Sequence, residues 1–292
     1  MNTSPQSTNK PAIKSGSFII GGNLPVHRLG FGAMRLTGPG IWGESKNRKE
    51  AIAVLHRAIE LGINFIDTAD SYGPEVSEKI IAEALYPYPS DLVIATKGGL
   101  VRPGPSEWVP NGNPKHLRAA CEESLKRLKL SRIDLYQLHT LDPKYTLEDQ
   151  IGVLIELQQE GKIRHIGLSN VSVSEIEAVR RMVSVVSVQN RYNLLERSSE
   201  KVLEYCTREN IAFIPWFPLA IGNLAKPNSF LSDLATRLHA KPAQIALAWL
   251  LKKSPVMLPI PGTSSVQHLE ENTAASLIQM DDTMMQDLEK NH

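Results

Sequence analysis

NFIDTADSYGPEVSEKIIAEALYPYPSDLVIATKGG, from Asn64 to Gly99, contains one complete unit of the fold. It opens on a short apolar run, FI, and turns polar at Asp67. SEKIIAEAL then places its apolar residues at helical spacing. A second apolar run, DLVIAT, follows and leads straight into Lys97. Strand, helix and strand in so short a stretch form the crossover that two parallel strands require. The same pattern extends in both directions. Upstream, SFII and PVHR flank Gly21-Gly22-Asn23, a tight-turn signal for a hairpin. RLGFGAM reads as the first barrel strand, and RKEAIAVLHRAIELG as an amphipathic helix ending on Gly62. Downstream comes NPKHLRAACEESLKRL, a helix with Asn113 as N-cap and Pro114 at its first position. RIDLYQL, IRHIGLS, VVSVQ, IAFIPW and PVMLPIP are the later strands. TLEDQIGVLIELQQEG, SVSEIEAVRRM, SSEKVLEYCTREN, the pair FLSDLATRLHA and KPAQIALAWLLKK, and SVQHLEENTAASL are the helices after them.

Eight strand–helix units in one chain predict an α/β fold, a (β/α)8 TIM barrel, with the N-terminal β-hairpin closing the barrel bottom. The competing architecture, a doubly wound open sheet, lacks its mark: no G-x-G-x-x-G follows the first strand. The expected organisation is a mobile N-terminal arm over residues 1–17 and a single barrel domain over 18–292. The length, 292 residues, suits one such barrel. A net charge of +1 gives no bulk attraction to nucleic acid or to an anionic membrane. Cys121 and Cys206 are too sparse for a disulfide framework and read as reduced and structural. The first 17 residues lack a hydrophobic signal core, so the expected location is cytoplasmic. No metal-ligand set is assigned.

Barrel enzymes work at the C-terminal ends of their strands, and that is where the polar residues fall. Asp67, Lys97, His139, Ser169 with Asn170, Gln189 and Trp216 each follow or end a strand, and Tyr72 lies in the turn after Asp67. Singly, each has a structural explanation: a solvated lysine, a satisfied histidine, a Ser-Asn helix cap, a core tryptophan. Together they bring a lysine, a histidine and an acid to one face. A tyrosine titrates near a pKa of about 10 unless its anion is stabilised. A nearby lysine stabilises it, a carboxylate keeps that lysine charged, and a neutral histidine hydrogen-bonds a carbonyl oxygen. Asp67, Tyr72, Lys97 and His139 therefore suit delivery of a proton to a developing alkoxide. None of them supplies a hydride, so reduction needs a nicotinamide cofactor. Asp70 reads as a turn residue.

FIDTADSYG, VIATKGG, IDLYQLH, IGLSN and SVQNRYN, in this order, resemble the aldo-keto reductase family over nearly the whole chain. The family's tetrad falls on Asp67, Tyr72, Lys97 and His139. The resemblance implies that Ser169, Asn170 and Gln189 hold the nicotinamide carboxamide. It also implies that Trp216 stacks on the ring, with Phe217 and Leu219 beside it, and that Gly32, Ala33 and Met34 line the cofactor. IPGTSSVQHLEEN resembles the family's adenosine-phosphate site, with Glu271 and Asn272 of the expected types. Gly262 stands where many members have lysine, and His268 where many have arginine. Thr263, Ser264, Ser265 and His268 remain as phosphate partners, and the expected cofactor is NADPH/NADP rather than NADH. GAMRLTGPG with IWG, ALYPYPSDLVIATKGG and IPWFPLA are similar to the bacterial pyridoxal reductase (pyridoxine 4-dehydrogenase) type.

The implied activity is reversible reduction of an aldehyde or ketone to an alcohol, with pyridoxal/pyridoxine as the best substrate. A general aldehyde reductase of the same family and an NADPH-binding regulatory subunit with little turnover are the alternatives. A barrel enzyme using Lys97 as a Schiff-base nucleophile is a further rival. Substrate is set by loops: the stretch 100–113, the His139 loop and the stretch 217–229. Trp42, Trp108 and Phe217 are candidates to wall the pocket. The expected partner is a small-molecule aldehyde or alcohol, with neither nucleic acid nor membrane; the oligomeric state stays open.

Overall fold

Strands that are apolar on both faces have to be covered on both. A computed structural model, describing residues 10–219 and 230–290, shows how this chain does it. The hairpin pairs β1 (Ser17–Ile20) with β2 (Leu24–His27). Then follow β3 (Phe31–Gly32), α1 (Arg48–Glu60), β4 (Phe65–Asp67), α2 (Val76–Leu85) and β5 (Val93–Gly98). A small antiparallel pair, β6 (Leu100–Val101) and β7 (Val109–Pro110), rises from the end of β5. The alternation resumes with α3 (Pro114–Leu128), β8 (Ile133–Leu138), α4 (Leu147–Gln159), β9 (Ile163–Ser169), α5 (Val173–Arg180), β10 (Val185–Gln189), α6 (Glu200–Glu209) and β11 (Ala212–Phe213). The chain ends through α7 (Phe230–Arg237), α8 (Pro242–Lys253), α9 (Val266–Ala274) and α10 (Asp282–Lys290). The parallel strands run in the order β3-β4-β5-β8-β9-β10-β11.

The sheet closes into a (β/α)8 barrel, but its eighth member, read from PVMLPIP, forms no assigned strand. Phe213 N donates to Val256 O at 2.9 Å, Leu258 N to Phe213 O at 2.8 Å, and Gly30 N to Pro259 O at 3.0 Å. The segment thus bridges β11 to the start of β3. Pro255, Pro259 and Pro261 have no N–H to give, so the ladder on the β3 side stays incomplete. Arg28 fastens the seam by donating to the carbonyls of Leu251 at 2.6 Å and Ser254 at 2.5 Å. The first strand is also shorter than RLGFGAM suggests, because Ala33–Leu36 turns into a 3-10 helix.

The N-terminal arm is packed over the part the structure describes. Pro11–Ser15 is a 3-10 turn with Ala12 fully buried. Ala12 N donates to Leu61 O at 3.1 Å, and Ser276 Oγ donates to Pro11 O at 2.6 Å. Apolar Pro11 and Ala12 dock there, whereas residues 1–9 lie outside the described residues. α10 is a second element the sequence reading did not anticipate; Asp281 Oδ1 caps it, accepting from Met284 N at 2.8 Å.

The hairpin plugs the N-terminal end of the barrel. Phe18, Ile20, Leu24 and Val26 are buried in one cluster with Phe65, Ile133, Ile163 and Val185. His27 N donates to Asn64 Oδ1 at 2.7 Å, tying β2 to the entry of β4. Gly21 has φ 58°, and a Cβ there would lie 2.4 Å from Cε1 of His165. Replacing it costs left-handed strain of about 1–2 kcal/mol and forces the imidazole aside. Gly21→Ala is therefore expected to lower unfolding free energy by about that amount in urea titration, with kcat unchanged because the turn lies at the end opposite the strand tips.

A polar cluster sits between the β5 end, α2 and α3. Glu78 is fully buried, accepting from Thr96 Oγ1 and from Arg127 Nε, each at 2.6 Å. Asp70 Oδ1 is buried beside it with no hydrogen-bond partner among the described residues. Burial first, and the Glu78 carboxylate next, push Asp70 from 3.8 up to about 8, against the opposing pull of Arg127. Unfolding releases this proton, so the native state loses stability as pH climbs from the unfolded value toward about 8. Asp70→Asn should remove that loss. Its melting temperature relative to wild type is expected to rise steadily across the interval from about 4 to about 8 and to level off above it; a constant difference would mean that Asp70 does not titrate this way.

Candidate functional site

The strand ends meet as the motif spacing predicts. Asp67 is the last residue of β4, Lys97 lies near the end of β5, and His139 follows β8. Lys97 is fully buried. Its ammonium donates to Asp67 Oδ2 at 2.6 Å, to Thr68 O at 2.7 Å and to Tyr72 Oη at 3.4 Å. Asp67 is satisfied on its other oxygen too, since Oδ1 accepts from Gln137 Nε2 at 3.0 Å and Gln189 Nε2 at 2.8 Å. Gln137 was not singled out in the sequence. Its signal was position: it stands two residues before His139, on the same strand face. Gly167 makes room for it, because a Cβ there would lie 2.9 Å from Gln137 Cγ and 2.2 Å from Ser187 Oγ.

Burial works to lower the Lys97 pKa, but Asp67 and Tyr72 together outweigh it and the ammonium stays charged. An ammonium held by these acceptors has no free pair, which argues against the Schiff-base role. Tyr72 departs from the sequence expectation. Burial raises its pKa, and the lowering by Lys97 does not overcome this. The phenol is therefore a protonated donor at neutral pH. Burial, then the Lys97 charge, holds His139 well below the ordinary histidine range, so its ring is neutral. His139 Nδ1 lies 3.4 Å from Ser71 Oγ. The Tyr72 and His139 rings meet edge-on with centroids 5.9 Å apart.

Above these groups opens a cavity of about 490 Å³. Tyr72, Asp67, His139 and Trp108 line it, together with Gly32, Met34, Ser169, Asn170, Gln189, Trp216, Phe217, Leu219 and Gly262. Lys97 lies beneath it. Ala33 does not reach it: the residue is fully buried and its carbonyl accepts from Ser77 Oγ at 3.2 Å. Trp42 also stays outside the lining, half-buried behind it. Leu100, the first residue of the 100–113 stretch, lines the cavity, and so do Arg35 and Ile41, which were not singled out because short 3-10 turns carry no periodicity to mark them. Of the stretch 217–229, residues 220–229 lie outside the described residues.

The groups expected to meet a carboxamide are partly committed to one another. Asn170, at φ 59°, donates from Nδ2 to His139 O at 3.0 Å and Ser169 Oγ at 3.1 Å, and accepts Trp216 Nε1 at 3.0 Å. Gln189 has its nitrogen on Asp67, which leaves its oxygen. An indole face, amide groups and a serine side by side suit a flat ring that carries an amide. At the far side, Ser265 caps α9. Ser264 and His268 are exposed there, while Thr263 and Asn272 are buried. Glu271 is engaged by Lys241 and by Gln267 Nε2. Glycine at 262 has a steric reason: a Cβ would lie 2.6 Å from Gly32 O, and the neighbouring cation is Arg35, whose Cγ would be 3.6 Å away. Among the described residues, no helix is long and apolar enough to cross a membrane.

Comparison with known proteins agrees with this geometry. The chain is 54% identical over 280 residues to an uncharacterised oxidoreductase of Schizosaccharomyces pombe, covering 96% of this chain and 91% of that protein. It is 42% identical over 283 residues to pyridoxine 4-dehydrogenase of Escherichia coli, covering 95% and 98%. Among solved structures, an aldo-keto reductase from Klebsiella pneumoniae in complex with NADPH superposes with a TM-score of 0.81 at 25% identity, covering 94% of each chain. The model of the aldo/keto reductase family matches residues 28–291. A barrel whose strand ends carry this buried lysine–aspartate pair beneath a tyrosine and a histidine, matched over nearly its full length, belongs to the aldo/keto reductase family and is an oxidoreductase.

Proposed function

We propose that the protein is an NADPH-dependent reductase that converts an aldehyde or ketone to an alcohol reversibly, with pyridoxal as the preferred substrate and pyridoxine its product. One observation carries the reaction type: the Tyr72 hydroxyl stands 3.4 Å from the ammonium of fully buried Lys97, beside His139, and burial favours the neutral forms of the phenol and the imidazole. Bound in the cavity, the nicotinamide supplies the hydride. Ser169, Asn170, Gln189 and Trp216 suit its carboxamide and ring, and the Gly262 loop with the start of α9 suits its phosphates.

Tyr72 hydrogen-bonds the carbonyl oxygen and gives it the phenolic proton as negative charge develops. Lys97 stabilises the tyrosinate that remains. Asp67 keeps Lys97 charged, and Gln137 and Gln189 hold the Asp67 side chain in place by donating to it. His139, neutral, positions the carbonyl oxygen without competing for the proton. The identity with E. coli pyridoxine 4-dehydrogenase supports pyridoxal as substrate, and the apolar, aromatic lining supports a flat aldehyde.

Oxidation of NADPH followed at 340 nm, with pyridoxal beside a panel of aldehydes, tests the substrate. Turnover on pyridoxal well above the panel is expected; turnover on the panel alone moves the substrate and keeps the reductase. Tyr72→Phe is expected to cut kcat by about 10²–10⁴-fold with NADPH affinity nearly intact, and wild-type kcat in that variant would sink the assignment. His268 supports the 2′-phosphate reading by its exposed place in the first turn of α9. His268→Ala should weaken NADPH more than NADH in fluorescence titrations; equal losses would speak against a phosphate contact.

A further inference from the structure

Arg102 is 8% exposed and, among the described residues, has no carboxylate partner. A buried guanidinium is ordinarily matched by an acid; here it is matched by backbone. Nε donates to Glu107 O at 2.6 Å, Nη1 to Ile41 O at 2.8 Å and Ser71 O at 3.1 Å, and Nη2 to Gly40 O at 2.9 Å. These carbonyls belong to the separate loops that follow β3, β4 and β5. The same guanidinium lies 3.7 Å from the ring centroid of Trp108 and 5.8 Å from that of Trp42. Trp108 in turn stands 6.2 Å from the Tyr72 ring and 6.3 Å from the His139 ring. Ile41, whose carbonyl Arg102 holds, has φ 57°, a conformation that is rare for a β-branched residue and persists only where surrounding contacts enforce it.

We infer that Arg102 is a positioning residue for substrate recognition. It locks Trp108 and the Ile41 loop into a rigid aromatic wall facing Tyr72 and His139, and thereby selects planar aromatic aldehydes over aliphatic ones. This rests on the reading of the cavity as a carbonyl-reductase pocket. A planar fork serves carbonyls on several loops while stacking flat on indole, and lysine, a compact charge on a flexible stem, cannot do both at once. Nothing in this role moves a proton at the reacting atom. The effect therefore belongs in KM for substrates that use the wall, rather than in the chemical step.

The test compares wild type with Arg102→Met and Arg102→Lys, using 4-pyridinecarboxaldehyde and butanal as probes. The ratio of kcat/KM, aromatic over aliphatic, is expected to fall at least about tenfold, through KM, with NADPH affinity and melting temperature showing a folded protein. Arg102→Lys keeps charge and stem and serves if the methionine variant fails to fold; its ratio should fall in the same direction. An unchanged ratio, or equal loss on both probes, overturns the inference. If wild type reduces neither probe nor pyridoxal, the proposed function fails by itself. Acrylamide quenching then decides Arg102 separately. The Trp108 contribution, taken as the difference from the same protein carrying Trp108→Phe, is expected to become more quenchable in Arg102→Lys, and no change would overturn the inference.

Discussion

The ion pair between Lys97 and Asp67 is the constraint around which the site is built. Removing two charges from water costs several kcal/mol for each unless the remaining hydrogen-bonding capacity is met. Here it is met from different strands. Asp67 comes from β4, Lys97 from β5, Gln137 from β8 and Gln189 from β10. The register that sets Lys97 opposite Gln137, and Gln137 opposite Gly167, brings donors to both carboxylate oxygens. A slip of one residue would turn these side chains out of the barrel and leave a buried charge bare. Chemistry and fold therefore depend on the same register.

The two ends of the barrel divide the work. At the N-terminal end the hairpin, the Pro11–Ser15 turn and Asn64 satisfy backbone groups and bury apolar area. At the C-terminal end polarity is concentrated, and the loops after β3, β4 and β5 are joined through Arg102. Cations there are arranged by depth. Lys97 is paired beneath the cavity, Arg102 is solvated by carbonyls behind its wall, and Arg35 is exposed at its edge. The cavity itself is predominantly aromatic and aliphatic, so the few polar groups it presents act at low dielectric, where each counts for more than in water.

Much of this was legible in the residues because periodicity and punctuation are local. The alternation of apolar runs with amphipathic segments set the barrel. Asn113 and Pro114 start α3 as their chemistry predicts, and Asn113 Oδ1 accepts from Lys115 N at 2.9 Å. The motif residues at strand ends converge because, in a parallel barrel, every strand delivers its C-terminal residue to the same rim.

The sequence by itself determined the fold class, the order of units and the arrival of Asp67, Lys97 and His139 at one rim, since each follows from spacing along one element. Tertiary structure alone decided the rest. Whether Tyr72 is raised or lowered depends on how far burial exceeds the field of Lys97, a balance of distances between strands. The eighth strand was lost to prolines whose missing donors matter only once β3 and β11 lie on either side. Gln137 and Arg102 acquired their partners from segments remote in sequence: Asp67 for the one, the carbonyls of Gly40, Ile41 and Ser71 for the other. Contacts of that kind are set by closure of the barrel, a long-range event that local pattern does not encode.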